Sequence, residues 1–218
     1  MPAKADNGGI VMRVTAVEEL SKSRSKVFLD GEFAFVLYKG ELRLYHIHPD
    51  TELSHEDYDR ILNEVLPKRA KLRAMNLLTK REYTEKQLRD KLKDGGYPVK
   101  VVEEALAYVA DFRYIDDMRY AVTYITDHES TRSRRRIEQD LLGKGISGET
   151  LERAWAEWEK QGGSQDEQAM LRKLLEKRGY DPDTADYKER QRTYAFLMRK
   201  GFSGEAVCRA MRADGFYD

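Results

Sequence analysis

Four arginines packed into five positions, Arg132, Arg134, Arg135 and Arg136, with Ser133 between them, are the side chains of this sequence best placed to bind something. Ser133 reads as the N-cap of the helix they open. A helix N-terminus carries partial positive charge, so each arginine there is unfavourable by about 0.3–1 kcal/mol. The placement predicts an external anion, phosphate or carboxylate, that offsets the cost. Lys144, at the far end of the same helical run, joins them as a candidate contact.

Other chemistry-bearing residues read as structural. His46-Ile47-His48-Pro49-Asp50 has no third histidine nearby and reads as a loop. Asp116-Asp117 directly precedes a helical run and suits an N-cap. Cys208 is the only cysteine, which excludes an intrachain disulfide and a cysteine-based zinc site. It lies beside Val207 and Met211, so core packing is expected. Trp155 and Trp158 follow an apolar stripe and are expected in a core or between modules. No Walker A string, Gly-x-Gly-x-x-Gly fingerprint or Gly-x-Ser-x-Gly elbow occurs. No catalytic, cofactor-binding or metal-binding residues are expected, and hence no enzyme.

The elements that would position the arginines are mostly helical. Up to residue 53 the chain reads as a small β-containing extension, with runs at Ile10–Val14, Lys26–Leu29 and Phe33–Val36. Asp30-Gly31 between the last two is a strong type I′ hairpin signal. About three strands are expected, packed on something helical because so small a sheet is marginal alone. From Ser54, a plausible N-cap, the pattern is helical to about Lys80, with Pro67 expected to kink it or to open a new helix.

An internal repeat follows. Leu88-x3-Leu92-x3-Gly96-Tyr97 matches Ile137-x3-Leu141-x3-Gly145-Ile146 and Thr193-x3-Leu197-x3-Gly201-Phe202, at spacings of 49 and 56 residues. The apolar pair forms an inward stripe, and the glycine supplies a left-handed C-cap. Ser147 and Ser203 then cap the next helix. With preceding helices near 69–81, 117–128 and 166–178, each unit holds three helices. The fold class expected is mainly α: three tandem three-helix modules in an elongated array, at 54–112, 113–162 and 163–218, behind the extension 1–53. The third module departs from the pattern, with Glu189 in place of Ser or Thr, Thr193 at an apolar position, and an insert through Tyr180-Asp181-Pro182-Asp183.

Composition fits such an array. The 218 residues carry 39 Lys+Arg against 39 Asp+Glu, and 36% are charged. The neutral total conceals blocks: ten basic and three acidic residues in 68–93, two and seven in 41–66, two and six in 145–167, nine and five in 170–200. No run approaches the roughly 18 apolar residues of a membrane span, and Met1–Asp6 lacks a signal-peptide apolar region. A cytoplasmic protein is expected.

Several motifs resemble those of the RecX family, bacterial regulators of RecA. Tyr114-Ile115-Asp116-Asp117-x-Arg119-Tyr120-Ala121-x2-Tyr124-Ile125 is similar to that family's most recognisable run, and Arg132–Ile146 to the stretch after it. Leu78-x-Lys80-Arg81-Glu82-Tyr83-Thr84-Glu85-x2-Leu88 resembles its first-unit signature. The resemblance extends over about residues 10–213. It implies a non-enzymatic modulator, mainly an inhibitor, of RecA that lies on the RecA–single-stranded DNA filament. Filament growth, ATP hydrolysis, strand exchange and coprotease activity would be limited, in recombination, DNA repair and the SOS response. Arg132, Arg134, Arg135 and Arg136 would be contacts by position, and a monomer suits the role. The alternative is direct binding of single- or double-stranded DNA by basic three-helix modules. The interspersed acidic blocks and a pI of about 6.9 argue against that alternative.

Overall fold

The structure is a computed structural model and describes residues 11–212. It divides into two compact units, one ending at Ile115 and the other starting at Asp116.

The first unit opens with an antiparallel sheet of strands β1 (Met12–Ser21), β2 (Arg24–Leu29), β3 (Glu32–Tyr38) and β4 (Glu52–Leu53), in the order β3-β2-β1-β4. Asp30 and Gly31 take φ of +51° and +90°, the two left-handed residues that a type I′ turn requires. Ile10, assigned to the first strand by sequence, lies outside the described residues. The sheet has four strands rather than three, because Glu52–Leu53 returns to pair with Met12 and Arg13. β1 also runs well past Val14: Val17 to Ser21 pair with β2, through irregularities next to Thr15 and Leu20. A short helix α1 (Lys39–Leu44) follows β3.

Helix α2 (His55–Arg60), a π-helical turn (Ile61–Val65) and α3 (Leu66–Leu78) run on from one another. Pro67 falls in the first turn of α3. It has no N–H to donate and crowds the carbonyl four residues back, and the wider π turn just before it absorbs that defect. Helices α4 (Glu85–Lys93) and α5 (Val99–Asp111) complete the unit. Thr84 caps α4 in a reciprocal box with Gln87. Val14, Val27, Phe35 and Leu37 of the sheet share one core with Ile61, Ala70, Leu88, Leu92, Val102 and Val109. The sheet therefore does pack on helices.

Among its described residues the second unit holds six helices: α6 (Asp117–His128), α7 (Arg134–Gly143), α8 (Gly148–Lys160), α9 (Glu167–Arg178), α10 (Tyr187–Arg199) and α11 (Gly204–Met211). Asp116, Ser133, Ser147 and Ser203 each accept a backbone N–H as N-caps. Gly145 and Gly201 take φ of +93° and +91° after α7 and α10, and Gly96 takes +81° after α4. Two cores form. One gathers Ile125, Ile137, Leu141, Leu151, Trp155 and Trp158; the other gathers Leu171, Leu175, Leu197, Phe202 and Val207. Both tryptophans are core residues as expected. Cys208 is not: it is half-buried and borders a recess beside Tyr180, Tyr187 and Tyr194. An eight-residue α11 covers less surface than the apolar spacing suggests.

The departures of the third three-helix group have structural causes. Its middle helix starts a turn earlier, capped by Asp186, whose carboxylate accepts the N–H of Glu189. Glu189 is thus a first-turn acid where the dipole favours one. Thr193 is fully buried, and its hydroxyl accepts a hydrogen bond from Arg178 Nε at 3.2 Å. The insert is tied back by Arg190, which donates to the carbonyls of Pro182 and Ala185.

Candidate functional site

The arginine cluster splits when the chain folds. Arg132 and Arg136 turn to one side of the start of α7 and border a cleft of about 600 Å³. Arg134 goes elsewhere: it pairs with Glu138 at 3.0 Å and Glu159 at 3.4 Å, and lies 4.5 Å from the centre of the Trp155 ring. Arg135 is exposed, with no ion pair among the described residues. Lys144 sits at the opposite end of α7, its ammonium 5.4 Å from the Tyr124 ring centre.

Much of the dipole cost is met inside the molecule. Asp140, in the second turn of α7, accepts from Arg132 at 2.6 Å and from Arg136 at 3.1 Å. Tyr124 on α6 joins them: its hydroxyl accepts from Arg132 at 2.7 Å and donates to Asp140 at 3.3 Å. Burial, and then the Asp140 charge, push the Tyr124 phenol up from its ordinary value, while Arg132 pulls the other way. Beside the external anion that the sequence suggests, Arg132, Arg134 and Arg136 therefore have internal counter-charges in Glu138, Asp140 and, on α8, Glu159.

The other wall of the cleft comes from the third three-helix group. Gln139 of α7 faces Phe196, Met198 and Arg199 of α10, and Lys200 and Gly201 just beyond it. Ser133, fully buried, joins the two walls. Its hydroxyl caps α7 by accepting the Arg136 N–H at 3.2 Å and donates to the Lys200 carbonyl at 3.3 Å. Gly201 fits against this joint: a Cβ there would stand 2.5 Å from Ser133 Oγ and 2.6 Å from Arg136 Cβ. The end of one helix, with its unpaired carbonyls, thus meets the start of another, with its unpaired N–H groups.

Sequence reasoning missed Arg199 and Lys200. The repeat carried a usable signal, since Lys200 occupies in the third group the place that Lys144 holds in the second. What it could not carry was which turn packs on which helix start. The cleft converges four cations on one concavity without a nucleophile–base pair. Among the described residues no group of three or more His, Cys, Asp or Glu could hold a metal. No helix among them is long and apolar enough to cross a membrane.

Three-helix groups behind a small sheet, with a cation-lined cleft at the start of α7, define a helical-repeat protein. Comparison with known proteins narrows this class. The family model for the first three-helix domain of RecX matches residues 70–108, and that for the third matches residues 165–211. The regulatory protein RecX of Caldanaerobacter subterraneus subsp. tengcongensis is 30% identical over 92% of this chain and 98% of its own length. That of Bacillus subtilis is 25% identical over 90% of this chain and 74% of its own. A crystal structure of regulatory protein RecX is similar with a TM-score of 0.56 and 25% identity, covering 91% of this chain and 98% of that one. The chain belongs to the RecX family, a family of regulatory proteins and not of enzymes.

Proposed function

We propose that this chain is a modulator, mainly an inhibitor, of the RecA recombinase, acting on the RecA–single-stranded DNA filament as a monomer in the cytoplasm. It limits filament growth, ATP hydrolysis, strand exchange and coprotease activity, and so acts in recombination, DNA repair and the SOS response. Membership of the RecX family supports the regulatory role. The observation that carries the contact is the start of α7, where Arg132 and Arg136 border one cleft with Arg199 and Lys200, and where Arg135 is exposed. Arg134 and Lys144 flank it, one along α7 and one at its end. Modules at 54–112, 113–162 and 163–218 would let one molecule touch successive protomers, with charge setting register and encounter rate.

The test is the DNA-dependent ATPase of the cognate RecA. Substoichiometric protein is expected to slow it, and replacing Arg134, Arg135 and Arg136 together by Ala is expected to weaken that effect with the fold retained. An ATPase unchanged at equimolar protein would sink the assignment. Direct DNA binding would instead appear as affinity for naked DNA falling steeply with salt, a log–log slope of about 0.9 per phosphate contact.

A further inference from the structure

The cleft can discriminate between two kinds of anion. A single nucleic-acid strand is held by cations along its backbone and by open aromatic faces on which bases stack. The one aromatic side chain in this cleft is Phe196, and its ring is already taken: the Arg178 guanidinium lies 5.0 Å from its centre and the Lys200 ammonium 5.7 Å. What remains open beside the cations is Gln139, which is exposed, and the flexible apolar Met198, which is 37% exposed. An unbranched thioether adapts to varied apolar side chains.

The cations are also arranged for carboxylates. Asp140 grips Arg132 through Nη1 and Arg136 through Nε, which fixes both side chains and leaves their other N–H groups to donate. Arg199 and Lys200 have no carboxylate partner among the described residues. Four cations therefore face the cleft against one internal carboxylate, on walls already joined through Ser133 and Gly201. Such preorganisation lowers the entropy cost of binding.

We propose that this cleft docks an acidic protein segment that carries an apolar side chain. Its carboxylates engage Arg199, Lys200 and the free edges of Arg132 and Arg136, and its apolar group lies on Met198 beside Phe196. The proposal rests on the reading of the α7 start as the contact surface, and it names the chemistry of what that surface receives.

Fluorescence anisotropy of a labelled synthetic peptide of alternating Glu and Leu tests it, with the full chain as titrant. Its Gln-for-Glu counterpart and an oligothymidylate serve as rival probes. The acidic peptide is expected to bind and the Gln peptide not to. Arg199→Glu with Lys200→Glu should weaken binding by about tenfold or more, as close charge reversal does. Met198→Ala should weaken it severalfold with unchanged helicity by circular dichroism. No binding of the acidic peptide, equal binding of the Gln peptide, indifference to the charge reversal, or oligothymidylate binding that the peptide does not displace would each overturn the proposal. The RecA ATPase assay keeps the two readings apart: slowed ATPase without peptide binding removes the acidic-segment docking and leaves the RecA role, and peptide binding without any effect on ATPase does the reverse.

Discussion

The turn that closes α4 and the turn that closes α10 have the same local form, yet one rests on a strand and the other on a helix start. Gly96 seats against the Val36 side chain of β3, where a Cβ would collide with it. Gly201 seats against Ser133 and Arg136. On the strand the contact is apolar, made with the buried Val36 side chain. On the helix start it is polar, and the side chains that flank it cannot close over one another because they are like-charged. The charges follow suit. In the first unit Arg69 is drawn inward, paired with Glu41 at 2.8 Å and lying over Tyr38 at 4.2 Å, and Arg89 is divided between Glu85 and Glu103. In the second, Arg132 and Arg136 share a single carboxylate and keep donors to spare. One repeated turn thus meets an apolar strand in one place and lines a cation-bordered cleft in another, according to what it lands on.

The strongest way to break this comparison is to add a Cβ at each seat. Gly96→Ala forces a left-handed alanine, worth about 1–2 kcal/mol, and overpacks a buried strand for about 1–3 kcal/mol more. The first unit should lose stability by denaturant unfolding, with amide exchange of β3 accelerated. Gly201→Ala carries the same backbone cost, and its neighbours, the buried Ser133 hydroxyl and the Cβ and backbone N of Arg136, cannot swing aside, so a loss of similar size is expected. Gly143→Ala is the control of opposite sign. It lies in α7 with nothing within 4 Å of the added methyl and should stabilise by about 0.4–1 kcal/mol. If Gly201→Ala proves as harmless as Gly143→Ala, the seat on Ser133 is wrong.

Next in size are the caps. Thr84→Ala and Ser133→Ala each remove an N-cap hydroxyl, worth about 1 kcal/mol. The two should then diverge. Ser133 also donates to the Lys200 carbonyl, so Ser133→Ala is expected to speed amide exchange in the turn after α10. Thr84→Ala should leave β3 as protected as before, because Gly96 meets Val36 without help from the cap. Equal, purely local effects would mean that Ser133 does not join the two walls of the cleft.

Local grammar was readable in the sequence and tertiary pairing was not. The Asp30-Gly31 turn, the caps at Asp116, Ser133, Ser147 and Ser203, and the glycines after α4, α7 and α10 follow from preferences that act within a few residues. β4 was missed because two residues of strand carry no periodicity, and the far half of β1 because Glu18-Glu19 hides an alternating pattern. The middle helix of the third group starts ahead of the repeat position because its cap, Asp186, sits three residues before Glu189. For the cleft, Arg132 and Arg136 were legible as a charge anomaly. Asp140 as the partner of Arg136 required only helical spacing, while Arg199 and Lys200 required knowing that the turn after α10 lies beside the start of α7, which no local rule encodes.

The smallest expected effect separates the two units by titration. The Tyr97 phenol in the first unit and the Tyr124 phenol in the second are both pushed up by burial. For Tyr97 the next influence is Arg69, which opposes the shift; for Tyr124 it is Asp140, which adds to it. A phenol whose folded pKa exceeds its unfolded value contributes stability that is fully present below the unfolded value. That contribution is lost as pH rises through the folded one. Asp140→Asn removes the carboxylate charge beside Tyr124 and leaves Tyr97 untouched. Tyrosinate absorbance should therefore show one tyrosine ionising earlier in the variant, and the alkaline loss of stability should shrink. Tyr124→Phe should abolish that moving component. If Asp140→Asn leaves the titration unchanged, Asp140 is not the charge that holds the Arg132–Tyr124 corner together, and the preorganisation of the cleft has another source.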